Sequence, residues 1–143
     1  MELKFLSLSK NESFARSTVA SFVAQIDPTL DELTELKTVV SEAVTNSIIH
    51  GYDEREDGWI TIHCKIINDN EIELTIRDEG VGIENVQMAK EPLYTSKPEL
   101  ERSGMGFSIM ESFTDQLIVD STVGAGTTVT MKKQFHQVKT ACH

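Results

Sequence analysis

Residues 60–82 read ITIHCKIINDNEIELTIRDEGVG, and two runs within them alternate between apolar and polar side chains. The apolar positions are Ile60, Ile62, Cys64 and Ile66 in the first run, and Ile72, Leu74 and Ile76 in the second. A period of two is typical of strands that bury one face against a core. The polar stretch 68–70 between the runs is typical of a hairpin loop. This segment therefore predicts two antiparallel strands with one buried face.

Upstream of this hairpin, the sequence predicts a short strand over 3–8 and two helices. The first helix should cover 11–26, with an apolar face formed by Phe14, Val19, Phe22, Val23 and Ile26. Thr29 and Glu32 have the spacing of a capping box, which predicts the start of a second helix. That helix should continue to about position 50 and end at Gly51.

Downstream of the hairpin, residues 83–103 show no strong period, a helix is expected over 105–113, and a second hairpin over 115–121 and 127–135. The order is then β-α-α-β-β-loop-α-β-β. It predicts an α+β fold, a two-layer sandwich of a mixed, mostly antiparallel sheet with its helices on one face. The 143 residues fit a single domain over 1–143, with a loop at about 88–103 as a lid.

Composition and charge exclude several classes of protein. The net charge of -10 argues against broad binding to nucleic-acid phosphates, which requires a basic surface. No apolar run approaches the length needed to cross a bilayer, and the first residues do not form a secretory signal, so we expect a soluble, cytoplasmic protein. The two cysteines, Cys64 and Cys142, have neither metal-site spacing nor the pattern of a disulfide framework.

The second helix carries the first chemical signal. One side is expected to face the core through Leu33, Leu36, Val40, Val44 and Ser47. Glu42 and Asn46 are four residues apart on the opposite side, where a solvated surface is the simplest interpretation. Val39 and Ile49 flank the polar pair on that same side, which favours a partly enclosed site instead. An amide oxygen can bind Mg²⁺, and a neighbouring carboxylate can accept a proton or position a nucleophile.

Two glycine-containing loops supply further signals, each weak alone. Asp78-Glu79-Gly80-Val81-Gly82 follows a strand, where a carboxylate can accept a hydrogen bond from an exocyclic amine such as that of adenine. Ser103-Gly104-Met105-Gly106-Phe107 leads into a helix, where exposed amides can bind phosphate. Neither loop is a P-loop or a Rossmann fingerprint. Lys97 and Arg102 lie in the lid segment and provide local positive charge.

In this order, the motifs resemble those of the ATP-binding superfamily shared by gyrase, Hsp90, histidine kinases and MutL. Residues 42–46 are similar to its N box, residues 78–82 to its first glycine box, and residues 104–107 to its second. Residues 126–128 resemble the late element whose threonine lies near adenine. The resemblance implies a binding site for ATP or ADP with Mg²⁺.

A narrower resemblance covers nearly the whole chain. Residues 11–16, 41–52 and 95–107 are similar to the anti-sigma-F factors of sporulating bacteria. This resemblance implies a homodimer that inhibits a sporulation sigma factor and phosphorylates a serine of an anti-anti-sigma partner with ATP. It implies no direct contact with nucleic acid or membrane.

The resemblance also implies a role for individual residues. Asn46 would bind Mg²⁺, and Glu42 would act as the catalytic base. The base-binding residues would be Asp78, Gly80, Gly82 and Thr128. The residues at the phosphates would be Lys97, Arg102, Ser103, Gly104, Met105, Gly106 and Phe107, with Arg102 nearest to the transferred group. Arg16 would lie at the partner surface, although an ordinary surface pair with Glu12 explains it nearly as well.

Three alternatives remain open at this point. A related anti-sigma kinase of the general stress response would carry the same boxes. A pure binding protein would use the nucleotide only to shape its interface, without phosphoryl transfer. A histidine kinase fragment is disfavoured because the helices before the N box are too short to form a dimerisation hairpin with a phosphoacceptor.

Overall fold

The computed structural model describes residues 1–86 and 106–136 as a five-stranded sheet with helices packed on one face. The strands follow the order β1-β2-β3-β5-β4, and all four pairings are antiparallel. The elements are β1 (Glu2–Leu6), α1 (Lys10–Val23), α2 (Leu30–Asn46), β2 (Trp59–Ile67), β3 (Glu71–Asp78), α3 (Gly106–Ser112), β4 (Gln116–Thr122) and β5 (Gly126–Gln134). This confirms the predicted α+β sandwich, with an antiparallel sheet in place of a mixed one. The predicted lid over 88–103 lies outside the described residues.

The central hairpin forms as the alternation predicts. β2 and β3 pair so that Ile62 lies opposite Ile76 and Cys64 opposite Leu74. All four of these side chains are buried, because residues opposite each other on paired strands share one face of the sheet. The loop between the strands places Asn68 at a φ of 57°, a conformation that asparagine tolerates better than most residues.

The predicted capping box begins α2. The Thr29 hydroxyl accepts a hydrogen bond from the Glu32 amide at 3.1 Å, and the Glu32 carboxylate accepts one from the Thr29 amide at 2.9 Å. Both contacts satisfy amides that a helix start leaves without partners. After Asn46 the helix widens into a π-helical turn, Ser47–Gly51, in which the Tyr52 amide donates to the Ser47 carbonyl at 2.9 Å. Such turns are frequent at functional sites.

The core lies between the sheet and the two long helices. α1 contributes Val19 and Val23, and α2 contributes Leu36 and Val40, all of them at most 1% exposed. The predicted apolar face of α1 is wrong at Phe14, because the side chain of this residue is 55% exposed. The apolar stripe of α1 that faces the core is narrower than the sequence pattern indicates, and it excludes position 14.

In the parts of the chain that the structure describes, no helix has the length and apolar character required to span a membrane.

Candidate functional site

One end of the site forms where α2 meets the first residue of α3. A Cβ atom added to Gly106 would lie 3.0 Å from the Asn46 amide nitrogen and 3.3 Å from a carboxylate oxygen of Glu42. The polar pair of α2 therefore faces the second glycine box across a gap that only a glycine fills without a shift. The structure brings together these two elements, which are separated by 60 positions in the chain.

The polar pair lies in a partly enclosed position, as its neighbours predict. Glu42 and Asn46 are both of intermediate burial. Val39 is 1% exposed and Ile49 is 8% exposed, so this side of α2 is not the purely solvated face of the simpler alternative. A carboxylate and an amide at such a position can meet a ligand without being fully withdrawn from water.

The other end of the site forms around Asp78, which closes β3 and is only 5% exposed. The Ser47 hydroxyl donates to one carboxylate oxygen at 2.9 Å, and the Gly80 amide donates to the other at 2.9 Å. A Cβ atom on Gly51 would lie 3.1 Å from the same carboxyl group. Because Asn46 and Ser47 are consecutive, the two ends share the last turn of α2.

The environment of Asp78 has opposing effects on its acidity. Burial raises the pKa of Asp78 above its ordinary value of 3.8, while hydrogen bonds from Gly80, Ser47 and the Thr127 backbone oppose that shift. The two carboxylate oxygens together offer about four lone-pair sites, so the three donors already present leave room for one more hydrogen bond. An amine of a bound base is a donor of the required kind.

Gly80 and Gly82 allow contacts between backbone segments of the protein itself. A Cβ atom on Gly80 would lie 2.1 Å from the Gly51 carbonyl oxygen, and one on Gly82 would lie 2.3 Å from the Thr122 carbonyl oxygen. Gly82 also adopts a φ of 81°, which favours glycine. Packing therefore explains why glycine is required at both positions, and their predicted contact with a base stays a prediction.

The strand register separates the two threonines of the late element, and the predicted contact of Thr128 with the base stays a prediction. Asp78 pairs with Thr127 across β3 and β5, whereas Thr128 pairs with Arg77. Successive residues of a strand face opposite sides of the sheet, so Thr127 shares the face of Asp78 and Thr128 does not. The Thr127 hydroxyl also lies 2.8 Å from the Ser121 hydroxyl. The motif contains two threonines in a row, and only the strand register decides between them.

The described residues test only part of the predicted phosphate site. The Phe107 side chain is 9% exposed and packs in the core, which fixes the start of α3. The other residues predicted at the phosphates lie outside the described residues: Lys97, Arg102, Ser103, Gly104 and Met105.

Arg16 lies between two polar groups on the surface of α1. Its guanidinium is 3.2 Å from the Glu12 carboxylate and 3.4 Å from the Ser41 hydroxyl, and its side chain is 42% exposed. The surface pair with Glu12 is therefore present. Arg16 therefore contacts α2 at Ser41, the residue that precedes Glu42 in the chain.

Sequence analysis missed three residues that the structure places at this site. The sequence pattern places Ser47 on the core side of α2, predicts only a helix end at Gly51 and indicates no role for Tyr52. A hydroxyl on an otherwise apolar helix face was a usable signal for Ser47, since a buried polar group requires a partner. Nothing local indicated the contacts of Tyr52, which cross from α2 to β3.

The residues present fit a magnesium ion that is coordinated mainly by the phosphates of a nucleotide and by water. Within 1–86 and 106–136, no group of three or more histidine, cysteine, aspartate or glutamate side chains could hold a metal by itself. Protein sites for Mg²⁺ commonly contribute one or two oxygens, and phosphates and water complete the shell. The Asn46 amide oxygen is a ligand of this kind, and it lies beside Gly106, the first residue of α3 and part of the second glycine box.

Comparison with known proteins identifies the family. Residues 7–133 match the family described as histidine kinase-like ATPase domain. An anti-sigma F factor from Priestia megaterium is 61% identical over 143 residues, with 100% of this chain and 97% of the relative covered. An anti-sigma F factor from Clostridium beijerinckii is 58% identical over 138 residues, covering 96% of each chain.

Solved structures agree in fold. The RsbU and RsbW domains of Rv1364c from Mycobacterium tuberculosis match with a TM-score of 0.65 at 14% identity, covering 94% of this chain and 31% of that one. The mycobacterial sensor histidine kinase MprB matches with a TM-score of 0.59 at 16% identity, covering 96% of this chain and 100% of that one. At these identities the likeness concerns the architecture alone.

Proposed function

The chain belongs to the anti-sigma F factor family, and on this premise we propose that it inhibits a sporulation sigma factor and phosphorylates a serine of an anti-anti-sigma partner with Mg-ATP. The observation that carries the proposal is the meeting of Glu42 and Asn46 at Gly106, with Asp78 held by Ser47, the residue that directly follows Asn46. In this proposal the protein acts as a homodimer in the cytoplasm, without direct contact to nucleic acid or membrane.

Asp78 recognises the adenine in this proposal. Its carboxylate is oriented by donors on both oxygens, so little side-chain entropy remains to be lost when the 6-amine of the base binds. A base with an oxygen at that position would place an acceptor against a carboxylate, which is unfavourable. Thr127 lies on the same face of the sheet and completes the polar edge of this end.

Asn46 and the start of α3 hold the phosphates. The Asn46 amide oxygen is the protein ligand for Mg²⁺, which neutralises phosphate charge when bound. The proposal keeps the sequence-based assignment of Arg102 and of the backbone amides over 103–105, which lie outside the described residues. Phosphoryl transfer relies mainly on positioning and electrostatics, and a rigid helix end beside Asn46 supplies both.

Glu42 acts on the attacking hydroxyl. It lies one helical turn before Asn46 on the same side of α2, and both side chains face Gly106, which supports a role for its carboxylate beside the terminal phosphate. There it would accept or orient the proton of the partner's serine. Arg16, which contacts Ser41 at 3.4 Å, would mark the surface on which the partner approaches.

The decisive experiment is transfer of labelled phosphate from ATP to a purified anti-anti-sigma candidate. We expect the label on a serine of the partner, and we expect no transfer by the Glu42→Ala variant. Binding of the partner without any phosphoserine would support a non-catalytic nucleotide-dependent binding protein instead. Co-purification with a stress-response sigma factor, rather than a sporulation sigma factor, would favour the general-stress kinase.

A further inference from the structure

A closed ring of hydrogen bonds joins the end of α2 to the turn after β3. The Tyr52 amide donates to the Ser47 carbonyl at 2.9 Å, and the Ser47 hydroxyl donates to the Asp78 carboxylate at 2.9 Å. The ring closes through the Glu79 amide, which donates to the Tyr52 hydroxyl at 2.7 Å. Tyr52 therefore contacts both Ser47, which donates to the Asp78 carboxylate, and Glu79, which directly follows Asp78 in the chain.

The Tyr52 side chain is held in a single position. It is 4% exposed, and its hydroxyl also donates to the Trp59 carbonyl at 2.5 Å. A Cβ atom on Gly58 would lie 2.5 Å from the aromatic ring, so the backbone at Gly58 lies directly against it. Burial raises the pKa of the Tyr52 hydroxyl, which keeps it protonated and able to donate at neutral pH.

Several hydrogen bonds hold the turn after β3. The Val81 amide donates to the Gly51 carbonyl at 2.9 Å, a backbone contact that no ordinary substitution removes. Within the turn, the Gly80 amide donates to the Asp78 carboxylate at 2.9 Å. The Tyr52 hydroxyl adds a side-chain contact from a distant segment, and it acts on the residue that directly follows Asp78. Removing the hydroxyl alone should thus shift the turn without unfolding it.

We infer that Tyr52 is a positioning residue for base selection: its hydroxyl fixes the Asp78-Glu79 backbone so that the Asp78 carboxylate meets a 6-amino purine at hydrogen-bonding distance. The inference rests on the proposed role of Asp78. It concerns which purine is accepted, and it assigns Tyr52 no contact with the nucleotide.

The test uses the Tyr52→Phe variant of the full chain, with ADP and IDP as the two ligands in calorimetry. The variant keeps the ring that packs on Gly58 and removes only the hydroxyl. We expect ADP affinity to fall about fivefold, the usual effect of one lost hydrogen bond, while IDP affinity stays unchanged. IDP carries an oxygen in place of the 6-amine and has no bond to Asp78 that could be lost.

Ser7→Ala provides the matched control. Ser7 is 1% exposed and accepts from the Gly58 amide at 3.1 Å, so it holds the same 52–58 segment without touching the turn after β3. We expect the control to lower the Tm and to leave the ratio of ADP to IDP affinity at its wild-type value. A ratio that falls equally in both variants would show a general structural effect and overturn the inference.

The remaining outcomes are also decisive. Equal losses for ADP and IDP in Tyr52→Phe, or no loss for either, would refute the role of Tyr52 and leave the proposed function standing. A wild-type protein that binds ADP and IDP equally would refute the assignment of Asp78, and the inference with it. If Tyr52→Phe does not fold, hydrogen exchange of the Glu79 amide in the wild-type protein replaces this test. The inference requires that this amide exchanges slowly, and that ADP slows its exchange further while IDP does not.

Discussion

The two ends of the candidate site are built in different ways. At the Asp78 end, the carboxyl group is 5% exposed, and the backbones of Gly80 and Gly51 touch so closely that no Cβ atom fits between them. At the Glu42 end, both polar side chains are only partly buried, and they face the single helix start at Gly106. One end is a closed backbone assembly, and the other is an open arrangement of side chains.

This difference matches two different tasks. The end that recognises a base benefits from a fixed geometry, because every degree of freedom removed beforehand lowers the entropic cost of binding. The end that transfers a phosphoryl group must admit a phosphate and then the serine of a second protein, so it has to stay accessible. Substitution of Glu42 at the open end should therefore change the transfer rate, whereas substitutions of Asp78 and Gly80 at the closed end should change affinity and stability.

The largest expected effect is at the open end. Glu42→Gln should lower the phosphoryl-transfer rate by about two to four orders of magnitude, the range for loss of a general base, while ADP affinity stays within about twofold. Asn46→Ala is the matched comparison and should weaken Mg-nucleotide binding itself. Equal transfer rates in Glu42→Gln and wild type would remove the catalytic role from this end.

At the closed end, Asp78→Asn should weaken ADP binding by about ten- to a hundredfold, since a hydrogen bond to a charged acceptor is at stake. Calorimetry with ADP measures this directly. The transfer rate at saturating ATP should change far less than in Glu42→Gln. A larger effect on that rate than on affinity would contradict the separation of the two ends.

The pH dependence of ADP binding follows from the raised pKa of Asp78. Because burial is the main cause of the raised pKa, the carboxyl should protonate at a higher pH than an ordinary aspartate, and ADP affinity should fall as the pH is lowered through that raised pKa. The Asp78→Asn variant should show a flat profile. The stability of the fold should respond to pH in the opposite sense. The folded state holds the Asp78 proton more tightly than the unfolded state does, so the stability contributed by protonated Asp78 is present below about pH 3.8 and is lost as the pH rises through the raised pKa.

The backbone contact at the closed end is tested by Gly80→Ala. Its Cβ atom would lie 2.1 Å from the Gly51 carbonyl oxygen, so we expect a loss of about 1–3 kcal/mol in the free energy of unfolding. Val81→Ala changes an exposed neighbour in the same turn and should cost less than about 0.5 kcal/mol. Similar values for the two variants in denaturant unfolding would argue against close packing at this end.

The smallest expected effect distinguishes two consecutive threonines. Thr127→Val should weaken ADP binding about two- to tenfold, the range for one hydrogen bond, because Thr127 shares the face of Asp78. Thr128→Val, on the opposite face, should bind ADP as the wild type does. The reverse result would return the role to Thr128 and place the base on the other side of the sheet.

Much of the fold and part of the site could be read from local patterns. The period of two over 60–76 located the central hairpin, and the spacing of Thr29 and Glu32 located the start of α2. The polar pair of Glu42 and Asn46 followed from helix geometry, since four residues make about one turn. These features depend on neighbours in the chain, which a sequence records directly.

Other features required the tertiary structure. Phe14 fits the apolar face of α1 by its spacing but is exposed, because the sequence of a helix does not show which part of its apolar face other elements cover. Thr127 and Thr128 are indistinguishable until the register of β5 against β3 is known. Residue types and their local spacing show which chemistry is available to the chain. Which of those groups meet depends on the packing of all the elements, because contacts such as Ser47 with Asp78 and Tyr52 with Glu79 join segments far apart in the chain.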